Sequence, residues 1–69
     1  MIFSCLRLAK DIKNQDVIVI TVKGVLYYGR VHNYNRDKTD VTFDVYFFID
    51  KKEYRLGYKF FYTDYIPVA

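Results

Sequence analysis

The chain has 69 residues, 52% of them hydrophobic and 28% charged, with a net charge of +3. That suffices for one domain near the lower limit of what a single core holds together, a size that commonly needs a staple or a partner subunit. A lone Cys5 excludes an internal disulfide, a lone His32 without CxxC or HxxxH spacing offers no metal or cofactor a ligand set, and the charge is far below that of a histone-like polyanion binder.

The opening "MIFSCLRLAKDI" is too short in its apolar part, and too charged after it, to read as a signal peptide. No later apolar run approaches the roughly 20 residues of a membrane-spanning helix. With one free thiol, the expected compartment is a reducing cytoplasm. Ser4 can cap a short helix in which Cys5, Leu8, Ala9 and Ile12 recur at helical spacing, and a helix is the expectation here. Ile2, Ser4, Leu6 and Leu8 also alternate, so a strand is the alternative. Cys5 lies in an apolar context and reads as packing rather than as a nucleophile.

A polar turn at "KNQD" leads into "DVIVITV" (Asp16–Val22), β-branched almost throughout and suited to a strand buried on both faces. Gly24 turns the chain. "VLYYGRVHNY" (Val25–Tyr34) follows as a long strand interrupted by Gly29, where a missing side chain marks a bulge, a bend or a close approach of another backbone. After a polar loop (Asn35–Asp40), "VTFDVYFFI" alternates cleanly: Val41, Phe43, Val45, Phe47 and Ile49 share one face, and Thr42, Asp44, Tyr46, Phe48 and Asp50 the other. Beyond "DKKE", Tyr54, Leu56, Tyr58, Phe60 and Tyr62 alternate with Glu53, Arg55, Gly57 and Lys59, and the chain closes on a short strand ending near Pro67.

Five short strands cannot bury an apolar face while lying flat. The expected fold is therefore mainly β, a small, strongly bent SH3-like barrel of five strands after a short N-terminal helix. Gly24 and Gly29 are the expected structural bend, and Gly29 lets its strand belong to both sides of the barrel. Eight Tyr and six Phe in so small a chain favour covering the surplus apolar surface by self-association into a homo-oligomer. The abundance of Lys, Asn, Tyr, Ile and Asp over Gly, Ala and Pro suits an AT-rich genome, such as that of a small bacterium or a phage.

The glycine-aromatic-glycine stretch resembles the Sm/LSm family, and most of all its bacterial Hfq branch of RNA chaperones. Val22, Gly24, Tyr27, Gly29, Val31 and Tyr34 stand where the family's first motif has its apolar and glycine positions, with Asn35 in place of the usual acidic residue. "YKFFYTDYIPV" resembles the Hfq-type ending, agreeing best at Tyr58, Lys59, Ile66 and Pro67. The resemblance implies an Sm-like ring that binds RNA, in which the fourth and fifth strands, here roughly Glu53–Phe60 and Phe61–Ile66, pair between subunits. Tyr58, Phe60, Phe61, Tyr62, Tyr65 and Ile66 are then the expected subunit contact. Departures bear on the ligand: Phe60 replaces the histidine after the lysine, and Arg36-Asp37 replaces a glutamine-aromatic pair, so uridine-specific recognition is not implied. The middle hairpin is also longer than the family has.

Catalysis is not expected. The carboxylates fall in turns or on exposed strand faces, and His32 is the only side chain whose ordinary pKa suits a general base at neutral pH. Binding fits better, because aromatics on a sheet flanked by basic residues form stacking platforms for single strands. Tyr28, Arg30, His32 and Tyr34 on one face of the second strand, Arg36 and Lys38 after it, and Lys59, carried over from the resemblance, are the expected nucleic-acid contacts. Asp37, Asp40, Asp44, Asp50 and Glu53 dilute that charge. The rival is a protein-binding module, in a phage one that seizes and inhibits a host protein, using exposed Tyr46, Phe48, Phe61 and Tyr65.

Overall fold

A computed structural model describes residues 5–69, and those residues form one antiparallel sheet of six strands. These are β1 (Cys5–Leu8), β2 (Val17–Val22), β3 (Val25–Arg36), β4 (Asp40–Ile49), β5 (Lys52–Phe61) and β6 (Tyr65–Val68), ordered β1-β6-β2-β3-β4-β5 in space. Among the described residues there is no α-helix. The expected N-terminal helix is instead β1, antiparallel to β6 with Cys5 opposite Val68 and Leu8 opposite Tyr65, followed by one 3₁₀ turn at Ala9–Asp11. Pairing with β6 satisfies the backbone of this short segment across the sheet, and that tertiary partner overrides a weak helical spacing. Cys5 is exposed, contrary to its expected packing role. Ser4, the expected cap, and Ile2 lie outside the described residues.

Two tight hairpins set the register of most of the sheet. Lys23 and Gly24, at φ 52° and 79°, join β2 to β3 with Val22 opposite Val25. Asp50 and Lys51, at φ 51° and 66°, join β4 to β5 with Ile49 opposite Lys52. Positive φ at both central residues is the hairpin geometry whose twist matches that of the flanking strands.

The long β3 strand is shared between two neighbours. Val25–Arg30 pair with β2, and Arg30–Arg36 pair with β4, so the change of partner falls next to Gly29. Gly29 is buried on the inner face, where a β-carbon would overlap Cγ1 of Val45. The sheet thus curls at the point where the sequence removes a side chain. A second irregularity follows at Asn33 (φ 55°), where two β3 residues stand against one of β4 and the ladder resumes at Asn35 opposite Thr42. This bulge reverses the alternation.

Inside the curl, Ile18 and Ile20 of β2, Val31 of β3, Val41, Phe43, Val45 and Phe47 of β4, and Ile66 and Val68 of β6 form one buried cluster with Ala9 and Ile12. At about 25 cal/mol per Å² of apolar area, each such side chain contributes about 1.5–3 kcal/mol, so the two faces of β4 are energetically very unequal. The curl is pinned at one end. Ala9 and Lys10 donate backbone hydrogen bonds to the carbonyls of Asp64 and Tyr62, at 2.7 and 3.0 Å. No strand pairing joins β5 to the other side, so the sheet remains open with β1 and β5 as its edges, and a closed five-stranded barrel is not formed. β6 is not an edge, because β1 occupies its outer side. The β5–β6 pairing between subunits that the resemblance implied has no open β6 to use.

Candidate functional site

The register fixes which side chains share the outer face of the sheet. Arg30 of β3 stands opposite Tyr46 of β4, and Tyr46 opposite Arg55 of β5. One row on, His32 is opposite Asp44, and on the far side of Tyr46 lie Tyr28 and Phe48. Tyr28 and Phe48 are 52% and 60% exposed, high values for aromatic residues in strand interiors. Tyr28, Arg30, Tyr46 and Phe48 line a shallow depression of about 220 Å³ whose floor includes Gly29.

Beside the depression the His32 ring meets the Tyr46 ring edge-on, with centroids 4.7 Å apart and planes at 74°. Arg30 donates from Nη1 to the carbonyl oxygen of Gln15 at 2.9 Å, which anchors one end of an exposed guanidinium and leaves its other donors outward. Two of the carboxylates that dilute the charge are engaged. Asn33 Nδ2 donates to Asp44 Oδ2 at 3.0 Å, and Lys59 Nζ lies 3.7 Å from Asp40 Oδ2.

Of the expected nucleic-acid contacts, Tyr28, Arg30 and His32 share this face. Lys59 lies on it too, opposite Thr42 and toward the β3–β4 loop. Tyr34 does not. The bulge at Asn33 turns Tyr34 inward, where its ring stacks on Phe43 at 6.2 Å and its hydroxyl donates to the carbonyl oxygen of Ala9 at 2.8 Å. Burial pushes the Tyr34 phenol above its usual value, Arg36 opposes that shift and Asp11 adds to it. Arg36 instead covers the Tyr62 ring, 5.8 Å from its centroid. Lys38 sits exposed in the β3–β4 loop, next to Asp37, whose carboxylate accepts from the Lys38 backbone.

The expected subunit contacts scatter as well. Tyr58 and Phe60 face inward and pack on Phe43, at 6.1 and 5.8 Å, and burial raises the Tyr58 pKa. Ile66 is 2% exposed and belongs to the core. Phe61 and Tyr65 are exposed, and Tyr62 is half-buried.

Sequence reasoning did not join Tyr46, Phe48 and Arg55 to the face that holds Tyr28 and Arg30. The signal was present. The β4 alternation places Tyr46 and Phe48 together, and a two-residue Asp50-Lys51 turn puts Arg55 opposite Tyr46.

Among the described residues, no three of His, Cys, Asp and Glu are grouped as a metal site needs, and no helix is long and apolar enough to cross a membrane. Comparison with protein-family models, with curated proteins and with solved structures finds no match for this chain. The curled antiparallel sheet is compatible with an SH3-like or Sm-like barrel, and no comparison assigns it to either family.

Proposed function

We propose that this protein acts by binding rather than by catalysis, and that its ligand is single-stranded nucleic acid, RNA foremost, laid across the outer face of β3, β4 and β5. One observation carries the reading: two exposed aromatics, Tyr28 and Phe48, flank a depression bordered by Arg30, with Arg55 one strand further on. Aromatic faces stack bases of any sequence at about 1–3 kcal/mol per base, and neighbouring guanidinium groups take the phosphates between them. Lys59 offsets Asp40, while Asp44, hydrogen-bonded to the neutral Asn33 amide, and Glu53, opposite Phe48, share the face with Arg30 and Arg55 and keep the phosphate attraction modest.

Two or so phosphate contacts give a modest salt dependence, with log K falling against log salt at a slope of about −1.5. Stacking and phosphate contacts do not distinguish bases, so oligo-U and oligo-A should bind alike. The test is fluorescence anisotropy of labelled oligo-U and oligo-A at low and moderate salt. Saturable binding that Tyr28→Ala and Phe48→Ala each weaken about fivefold or more supports the reading. No binding at low salt refutes it.

A further inference from the structure

β5 ends the sheet and is hydrogen-bonded to β4 on one side only. The two-residue turn makes Ile49 and Lys52 a mutually hydrogen-bonded pair, so Lys52, Tyr54, Leu56, Tyr58 and Phe60 turn their backbone groups to β4. Glu53, Arg55, Gly57, Lys59 and Phe61 turn theirs away from it. Phe61 displays the alternation directly: its amide donates to Asp64 Oδ2 and its carbonyl accepts from the Asp64 amide, both at 3.0 Å. That local loop closes the edge at Phe61. Among the described residues, no backbone group pairs with the outward side of Glu53, Arg55, Gly57 or Lys59, and this stretch of the ladder stands open.

A two-fold axis normal to the sheet brings two such edges together antiparallel with like faces matched, so the axis passes through one residue and its copy. Charge chooses that residue. Centred on Leu56, the ladder sets Glu53 opposite Lys59 of the second copy, twice by symmetry, and Arg55 opposite Gly57. On the inner face Leu56 meets Leu56 and Tyr54 meets Tyr58. Centring on Arg55 instead sets Arg55 against Arg55 and Lys51 against Lys59. Centring on Gly57 sets Arg55 against Lys59 and brings Glu53 to Phe61, whose backbone Asp64 already engages. Like charges directly opposite destabilise a ladder, and opposite charges support it. Of the three registers, only the one through Leu56 uses all the open residues of both copies. Lys59, with its side chain 70% exposed and 3.7 Å from Asp40, keeps further ammonium donors for Glu53 of the second copy.

Gly57 fits the same pairing. Its φ is not positive, and a β-carbon there would meet only Asp44 Oδ1 at 3.6 Å, an ordinary contact. The single chain therefore gives no steric reason for a glycine in mid-strand. Across the axis it stands opposite Arg55, and its missing side chain leaves that guanidinium room on the outer face.

We propose that β5 is a dimerisation edge: a second copy of this chain adds its own β5 antiparallel, about a two-fold axis through Leu56. The paired stretch, Glu53–Lys59, covers Tyr54 and Leu56 but has no large apolar centre, so the dimer forms at tens to hundreds of micromolar. This inference is independent of the nucleic-acid reading, because it uses the open backbone and the Glu53–Lys59 pairing rather than the exposed aromatic faces.

Sedimentation equilibrium without oligonucleotide, over tens to hundreds of micromolar protein, tests it. The wild type should show a reversible monomer–dimer equilibrium that salt weakens. Glu53→Lys sets lysine against Lys59, and Lys59→Glu sets glutamate against Glu53; each should weaken dimerisation about tenfold or more. Mixed in equal amounts, the two variants should form a heterodimer, and both exchanges in one chain should restore the homodimer. Both positions are exposed, so the variants should remain folded, which circular dichroism checks. Tyr28→Ala should leave dimerisation unchanged whatever it does to oligonucleotide binding, which keeps the two readings separate. A wild type that stays monomeric at hundreds of micromolar, or assembles into rings or larger species, would overturn the proposal. So would undiminished dimerisation in either single variant, or no heterodimer from the mixture.

Discussion

Gly29 of β3 lies directly against the side chain of Val45 on β4, so closely that a methyl group at position 29 would overlap Val45 Cγ1. Both residues are buried, and β3 changes partner one residue later, at Arg30. Gly29→Ala should therefore destabilise the protein by about 1–3 kcal/mol, the usual cost of overpacking a core. Val45→Ala in the same chain removes the obstructing methyl and should recover part of that loss. Urea denaturation of the four members of this cycle measures the coupling; additive effects would mean that the close approach is not what the glycine accommodates.

Tyr34 shows how a bulge reassigns a residue. Its hydroxyl bond to the Ala9 carbonyl ties β3 to the 3₁₀ turn, and Tyr34→Phe should cost about 1 kcal/mol. Burial raises the pKa of both Tyr34 and Tyr58 from 10.0, so the fold favours the neutral phenols. Above that pH the unfolded chain loses these protons first. The contribution is whole below about pH 10 and is lost as pH rises through the higher folded values. Thermal melts should be level from neutral pH to about 9.5 and fall beyond it, less steeply in Tyr34→Phe.

The Asp50-Lys51 turn holds two non-glycine residues at positive φ. Lys51→Gly should stabilise the β4–β5 hairpin by about 0.5–1 kcal/mol, because glycine meets that geometry without steric cost. A rise in the urea midpoint with an unchanged m-value is the expected observation. The Lys23-Gly24 turn already has glycine at its second position and offers no equivalent gain there.

Much of the architecture was legible in the sequence, for identifiable reasons. Alternation from Val41 to Ile49 correctly divided the two faces of β4, because a half-buried strand must separate its side chains by face. The two glycines located the first hairpin and the curl. The N-terminal segment was read as a helix although its alternation also allowed a strand, because both spacings fit so short a stretch and the choice is made by β6, about 60 residues away. The placement of Tyr34 failed because a non-glycine bulge at Asn33 leaves little local signature, yet it inverts every later residue of the strand. The full outer face was missed for another reason: taking Asp50–Glu53 as the turn, rather than Asp50-Lys51 alone, conceals the β4–β5 register that sets Arg55 beside Tyr46.

Not all cations near the outer face should matter equally to nucleic-acid binding. Arg30 borders the depression, whereas Lys59 is held near Asp40 at 3.7 Å, which offsets its charge. Arg30→Ala should weaken oligo-U binding about threefold or more and flatten the salt dependence by about one phosphate contact, while Lys59→Ala should weaken it less than twofold. The exposed Lys59–Asp40 pair should contribute less than about 1 kcal/mol to stability, so both variants can be compared as folded proteins. Anisotropy titrations at several salt concentrations distinguish the two slopes.

Backbone amide shifts, followed residue by residue while oligo-U is titrated in, put the outer-face account to its most direct test. It predicts saturating changes centred on Tyr28, Arg30 and His32 of β3 and on Tyr46, Phe48 and Arg55 across β4 and β5, with the inner-face residues Ile20 and Leu56 little moved. Changes confined to the inner face, or none at low salt up to millimolar oligonucleotide, would contradict it.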